Sequence, residues 1–133
     1  MSIFSKIYNG EIPGYFLYKD EKTMAILDIA PLSIGHTLVI PKEEAAYITD
    51  LSDDSVTSLF LTVKKITGIL DEAFNPMGFT IGINHKVGQG VDHVHVHIIP
   101  RYKGDGAGSI HSVVSYKEEI DVKESYKKIE KYL

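Results

Sequence analysis

Short segments with strand character and two stretches with helical periodicity alternate along the chain. The strand segments are rich in β-branched and aromatic residues and are bounded by turn residues such as Gly, Pro, Asn and Asp. They predict strands at Tyr15–Lys19, Thr23–Asp28, His36–Ile40, Phe79–Asn84 and His93–Ile99. The first three follow one another closely, which predicts an antiparallel meander.

Helical periodicity is strongest in the middle of the chain. Ser52 or Asp53 is a suitable N-cap, and Asn75-Pro76 ends the helix. The apolar positions between them recur at helical spacing and predict a stripe that faces the sheet: Val56, Leu59, Phe60, Val63, Ile66, Leu70 and Phe74. A short helical turn is predicted at Glu43–Ile48, and Val122, Tyr126, Ile129 and Leu133 fit an amphipathic C-terminal helix.

These elements predict an α+β fold, with an antiparallel sheet of about five strands, one long helix, and a short or C-terminal helix, the helices lying on one side. A chain of 133 residues suits a single domain, residues 1–133. Residues 104–133 would form a tail, flexible in its glycine-rich part, whose helix packs on the body or on a partner subunit.

Composition and charge narrow the class of partner. The net charge is only −4, and no block of Lys or Arg is present, which disfavours a nucleic acid polymer as partner. An anionic small molecule needs only a few local donors. The chain has no cysteines, and neither a signal peptide nor an apolar run of ~20 residues is evident, so we expect a cytoplasmic protein with no membrane association.

Three histidines alternate with apolar residues in the run His93-Val94-His95-Val96-His97. On a strand, alternate side chains share one face, so the imidazoles point one way and the valines the other. We expect the valine face in the core and the histidine face open. Each imidazole has two polar nitrogens that need partners, and clustered titratable groups mark functional sites. This face is therefore the candidate site.

Three interpretations of the histidine cluster are open at this level. The histidines could be structural or solvated residues. A His-x-His pair could bind zinc, although Asp92 points to the opposite face and no second acidic cluster adjoins the run. A neutral imidazole could instead attack phosphorus, since its ordinary pKa of ~6.5 leaves it largely neutral at pH 7. We favour covalent catalysis without a metal or another cofactor.

The residues around the run resemble those of the histidine triad (HIT) family. Its signature of three alternating histidines flanked by apolar residues matches His93–Ile99. The resemblance covers Ile3 to about Arg101 and includes several further motifs in the same order. These are Ile3–Ile7 and Gly10–Pro13 near the N-terminus, the ribose-binding turn Asp28–Pro31, the strand Gly35–Lys42 with a fourth histidine, and Gly88-Gln89.

The resemblance implies roles for the histidines. His95 would be the nucleophile on the α-phosphorus, forming a nucleotidyl-histidine that water then cleaves. His97 and His36 would orient or polarise it. His93 would brace the strand and help to fix the tautomer of His95.

The resemblance also implies a binding pocket. Asn84 and Gln89 would contact phosphate, Gly90 would let the backbone approach it, and Asp28 would accept hydrogen bonds from the ribose. The apolar base pocket would be formed by Ile3, Phe4, Ile7, Ile26 and Ile29.

Three positions depart from the family pattern. Gly90 stands where many members carry Ser or Thr, so a hydroxyl that could assist the leaving group is missing. The loop Asn84–His93 is shorter than in the best-known members. Ser2 and Ser5 stand where some bacterial relatives have zinc-binding cysteines, which argues against that structural metal.

The function implied is a nucleotide hydrolase or transferase of the phosphoramidase (Hint-like) branch, or a bacterial-type HIT-like protein. It would cleave purine nucleoside phosphoramidates of the AMP type. The alternatives are a dinucleoside polyphosphate hydrolase and a nucleotide-binding protein with vestigial catalysis. The resemblance further implies a homodimer in which the two sheets join across the axis and one subunit's C-terminal region lies near the other's site.

Overall fold

A computed structural model describes all residues, Met1–Leu133, as five strands and three α-helices. The elements are α1 (Ile3–Tyr8), β1 (Phe16–Lys19), β2 (Thr23–Leu27), β3 (Thr37–Pro41), α2 (Asp53–Phe74), β4 (Gly78–Gly82), β5 (Val96–Arg101) and α3 (Val122–Glu130). Single 3-10 turns lie at Ile48–Asp50 and Ile110–Ser112. None of the helices combines the length and the apolar character needed to cross a bilayer.

The five strands form one antiparallel sheet in the order β1-β2-β3-β5-β4. The α+β class, the strand number and the meander of β1 to β3 are thus as the sequence predicts. β2 and β3 have apolar side chains on both faces, and almost every one of their residues is buried. Both faces of the sheet must therefore be covered.

Helix α2 covers one face. The Ser52 side chain accepts a hydrogen bond from the Ser55 N–H at 3.2 Å and so caps the helix, which ends where Asn75 adopts φ 45°. Its buried apolar residues pack against residues of the central strands and against Val94, which precedes β5: Leu59, Val63, Ile66 and Leu70 against Ala25, Val39, Val94, Val96 and Ile98. Two residues of the predicted stripe, Phe60 and Phe74, remain about 40% exposed (42% and 41%).

Helix α1 covers the other face, so the prediction of helices on one side is wrong. The N-terminal ten residues carry no predicted element, because a six-residue helix is too short for periodicity to reveal. Phe4 and Ile7 pack against the residues of β2 and β3 that point away from α2: Met24, Ile26, Leu38 and Ile40. This second core places α1 beside the histidines.

Two predicted boundaries differ from the structure for the same reason. The predicted helical turn at Glu43–Ile48 is not formed, since residues Glu43–Tyr47 are not helical and a 3-10 turn begins only at Ile48, and β5 begins at Val96 rather than at His93. The Ala45 carbonyl accepts a hydrogen bond from the Val94 N–H at 2.8 Å. This tertiary contact uses backbone groups that a helical turn or a longer strand ladder would need.

The C-terminal tail lies apart from both cores. Every residue of α3 is exposed, and so is the glycine-rich segment before it. The Arg101 side chain holds the start of the tail through an ion pair with Asp105 at 2.8 Å. Within this single chain, α3 therefore does not pack on the body.

Candidate active site

A cavity of about 390 Å³ opens between α1, the end of β2 and the loop that precedes the histidine run. Its apolar wall includes all five residues predicted for the base pocket: Ile3, Phe4, Ile7, Ile26 and Ile29. Its polar side includes Asp28, Asn84, Gln89, His95 and His97. Residues that are distant in sequence thus line one cavity.

The cavity has further lining residues that sequence reasoning missed. Ile12 and Pro13 belong to the turn between α1 and β1, and Val91 precedes the histidine run. The turn Gly10–Gly14 was a visible signal, but only the packing of α1 against β2 shows that it borders the cavity. Gly90 is absent from the lining, although its neighbours Gly88 and Gln89 contribute to it.

His95 is 6% exposed, and its ring orientation is fixed by one backbone contact. Its Nδ1 lies 2.8 Å from the His93 carbonyl oxygen. Because a carbonyl can only accept, Nδ1 carries the proton, and in the neutral ring Nε2 then carries the lone pair. Nε2 makes no hydrogen bond within the protein. Every fully buried side-chain nitrogen or oxygen does make a hydrogen bond, so Nε2 is not fully buried and is open to the cavity that His95 lines.

His93 is 1% exposed, which corrects the expectation of an open histidine face. Its Nε2 donates to the Pro41 carbonyl at 2.7 Å, so its Nδ1 accepts from the Ser2 hydroxyl at 2.6 Å. The Phe4 ring packs edge-on against His93 and His95, with centroid distances of 5.9 and 5.0 Å. Helix α1 thus covers His93 and one side of His95.

His36 and His97 are hydrogen-bonded to each other, and their partners assign the ring proton of each. The Leu32 backbone N–H donates to His36 Nδ1 at 3.0 Å, which assigns the ring proton to His36 Nε2. His36 Nε2 lies 2.9 Å from His97 Nδ1 and donates to it, so in neutral His97 the proton resides on Nε2. The Asp28 carboxylate lies 3.6 Å from His36 Nε2.

Burial keeps these histidines neutral. Desolvation, reinforced by the neighbouring His95 and His36, lowers the pKa of His97 from 6.5 to about 4, against the opposing effect of Asp28. Desolvation also lowers the pKa of His36 and that of His93. At neutral pH His36, His93 and His97 are therefore uncharged.

The Asp28 carboxylate lies beside His36 and His97, although Asp28 is far from the histidine run in the sequence. Asp28, His36 and His97 each place one atom of ligand type within 4.8 Å of the others. One carboxylate and two imidazoles would suit zinc. However, the Leu32 N–H holds His36 in the tautomer with a protonated Nε2, which has no lone pair for a metal. The hydrogen bonding thus opposes a metal at this cluster.

The loop before the histidine run is tied to the segment after β3. The Gln89 side-chain amide donates to the Ala46 carbonyl, so one of its two N–H groups is already used. Asn84 is exposed beside the cavity, and Gly90 adopts φ 77°, which a residue with a Cβ rarely adopts. Gly90 therefore fits the backbone of this loop, whatever its part in binding.

Comparison with known proteins identifies a family and a fold that this chain shares. The model of the HIT domain matches residues 9–104. The adenosine 5'-monophosphoramidase of Schizosaccharomyces pombe is 48% identical over 100 residues, 74% of this chain and 73% of that protein. The asymmetrical bis(5'-nucleosyl)-tetraphosphatase of the same organism is 39% identical over 75% of this chain and 57% of that protein. A HIT family structure from Bacillus subtilis superposes with TM-score 0.85 at 40% identity, covering 99% of this chain and 96% of that one.

Proposed function

Since this chain belongs to the HIT family, we propose that it hydrolyses purine nucleoside phosphoramidates of the AMP type through a nucleotidyl-histidine on His95. The observation that carries this proposal is the tautomer of His95. Its Nδ1 donates to the His93 carbonyl, and its free Nε2 faces the cavity. A neutral imidazole held in this way can act as a nucleophile without first losing a proton.

In the first step, His95 Nε2 attacks phosphorus, a P–N bond forms, and the bond between phosphorus and the leaving nitrogen breaks. The His95 ring then carries a positive charge. Its Nδ1–H already points at the His93 carbonyl, which stabilises this charge without rearrangement.

The departing amine needs a proton. In the free protein His97 is neutral, with its remaining proton on Nε2. This N–H would donate a hydrogen bond to the leaving nitrogen, while the proton that the nitrogen takes up comes from solvent in the open cavity. Water then attacks the phosphorus of the nucleotidyl-histidine, the phosphorus–His95 bond breaks, AMP leaves, and the proton that the water loses returns to solvent. The hydrogen bond from His97 would take the place of one from the hydroxyl that Gly90 lacks.

The cavity suits a nucleoside at its other end. Asp28 Oδ1 accepts from the Ala30 N–H at 2.9 Å, while Oδ2 faces the His36 side. A carboxylate has lone pairs beyond these, which can accept the two ribose hydroxyls. The apolar wall formed with α1 would hold the base, and the N–H groups of Asn84 and Gln89 would contact phosphate.

Turnover of an adenosine phosphoramidate tests the proposal. We expect release of AMP by the native protein, no turnover by His95→Asn, and partial activity in His97→Ala. His111→Asn is the matched control, because this histidine is exposed and its hydrogen bonds are to Ser109 alone. Full activity in His95→Asn would refute the nucleophile.

Two alternatives remain, each favoured by one observation. Similarity to the tetraphosphatase favours a dinucleoside polyphosphate as substrate, and faster turnover of diadenosine tetraphosphate than of the phosphoramidate would select it. The missing hydroxyl at Gly90 favours vestigial catalysis. Tight AMP binding with no turnover of either substrate would select a nucleotide-binding protein.

We also propose that the chain is one HIT-like domain that forms a homodimer. The outer edge of β4 is unpaired, and an open strand edge favours association. The tail exposes many apolar side chains that a partner would cover: Ile110, Val113, Val114, Tyr116, Ile120, Val122, Tyr126 and Ile129. Sedimentation at micromolar concentration should give the mass of two chains, and a monomer would contradict this.

A further inference from the structure

Ser2 is joined to the histidine run although it lies 91 positions before His93 in the sequence. The Ser2 hydroxyl caps α1 by accepting from the Ser5 N–H at 3.1 Å, and it donates to His93 Nδ1 at 2.6 Å. The Ser2 backbone N–H donates to the Glu44 carboxylate, which fixes Ser2 from its other side. One hydroxyl thus serves both the helix cap and a buried histidine.

The direction of the bond to His93 follows from its neighbours. His93 Nε2 donates to the Pro41 carbonyl, so Nδ1 can only accept and the Ser2 hydroxyl must donate. The His93 ring is therefore held at both nitrogens. The carbonyl of this same residue accepts from His95 Nδ1 at 2.8 Å. Fixing the His93 ring therefore also fixes the position of the His93 carbonyl, which is the acceptor that sets the tautomer of His95.

We propose that Ser2 is a positioning residue for the nucleophile: its hydroxyl locks His93, and through the His93 carbonyl it keeps His95 Nε2 unprotonated and aimed into the cavity. This inference rests on the proposed function for its kinetic consequence. Ser2 also lies close to the cavity, because it caps α1, whose Ile3 and Phe4 line the cavity.

The test needs a variant that removes the hydroxyl and leaves the helix cap nearly intact. Ser2→Gly meets this need, because Gly at an N-cap costs only a few tenths of a kcal/mol relative to Ser. Ser2→Thr keeps both the cap and the donor and should rescue. Ser5→Ala is the matched control, since the Ser5 hydroxyl lies 3.4 Å from that of Ser2 and makes no bond to His93.

We expect Ser2→Gly to lower kcat for an adenosine phosphoramidate about three- to tenfold, the range that loss of one ordinary hydrogen bond gives. The dissociation constant for AMP should change less than twofold, because the cavity wall is kept. Ser2→Thr and Ser5→Ala should retain the native kcat. An unchanged kcat in Ser2→Gly would overturn the proposal, and so would equal losses in kcat and AMP affinity or a failure of Ser2→Thr to rescue.

A readout without substrate separates this inference from the proposed function. Proton–nitrogen correlation spectra of the imidazoles report which ring nitrogen holds the proton. The native protein should show His93 protonated at Nε2 and His95 at Nδ1, and Ser2→Gly should show a mixture of tautomers at His95. If the native protein turns over no phosphoramidate, the proposed function fails, while the role of Ser2 still depends on this spectrum. An unchanged His95 tautomer in Ser2→Gly would refute it.

Discussion

Acidification should destabilise this protein through its buried histidines, and His97 allows the size of the effect to be worked out. The pKa of His97 is lowered from 6.5 to about 4 on folding. A group whose pKa is lower in the folded state binds fewer protons there than in the unfolded chain. Its contribution to stability is therefore full above pH ~6.5 and is lost as the pH falls toward 4.

The magnitude follows from the two pKa values. Because one pKa unit is ~1.4 kcal/mol, the difference between 6.5 and about 4 corresponds to about 3 kcal/mol. His97 is only partly buried, so screening by solvent reduces this, and we expect about 1–3 kcal/mol. His36 and His93 shift in the same direction and add to the loss in the native protein.

Urea titrations at pH 7 and pH 4 measure this effect when the native protein is compared with His97→Gln. The glutamine cannot titrate, and its carbonyl can still accept from His36 Nε2. The free energy of unfolding should fall less between the two pH values in His97→Gln, by about 1–3 kcal/mol. An equal fall in the two proteins would refute the assignment of His97 as a histidine kept neutral by burial.

Two further predictions concern the backbone at Gly35 and the absence of a metal from the reaction. Gly35 has φ 88° and an added Cβ would lie 2.7 Å from the Phe74 ring, so Gly35→Ala should lose about 2–4 kcal/mol in urea titration. In the same assay Gly68→Ala, on an exposed turn of α2 with open space around it, should gain about 0.5–1 kcal/mol, and equal effects would contradict this. Turnover should be unaffected by excess EDTA, because His36 Nε2 holds a proton rather than a metal, and inhibition would revive the zinc interpretation.

Much of the sheet could be predicted from the sequence because its signals are local. The strands carry β-branched residues between turn residues, and the spacing of α2 encodes its buried stripe. Helix α1 escaped prediction because its six residues give too few repeats, and its packing depends on β2 and β3. The conformation of the non-helical segment Glu43–Tyr47 likewise depends on a tertiary hydrogen bond, from the Val94 N–H to the Ala45 carbonyl.

The candidate site, too, could be predicted from the sequence only in part. Strand alternation groups His93, His95 and His97, but it cannot show that Phe4 and α1 bury the first two. It also cannot show which nitrogen carries each proton, because the partners are distant carbonyl and amide groups such as Pro41 and Leu32. Choosing His95 as nucleophile rested on resemblance, and the structure now adds a physical reason for that proposal.

The central claim is that His95 becomes covalently attached to the nucleotide during turnover. Rapid acid-free quenching of the native protein with an adenosine phosphoramidate, followed by mass spectrometry of the intact chain and its peptides, tests it directly. The account predicts an adenylyl group on the peptide that contains His95, formed before steady state and absent in His95→Asn. Turnover with no covalent adduct at any time, or an adduct on His93 or His97 in the native protein, would contradict it.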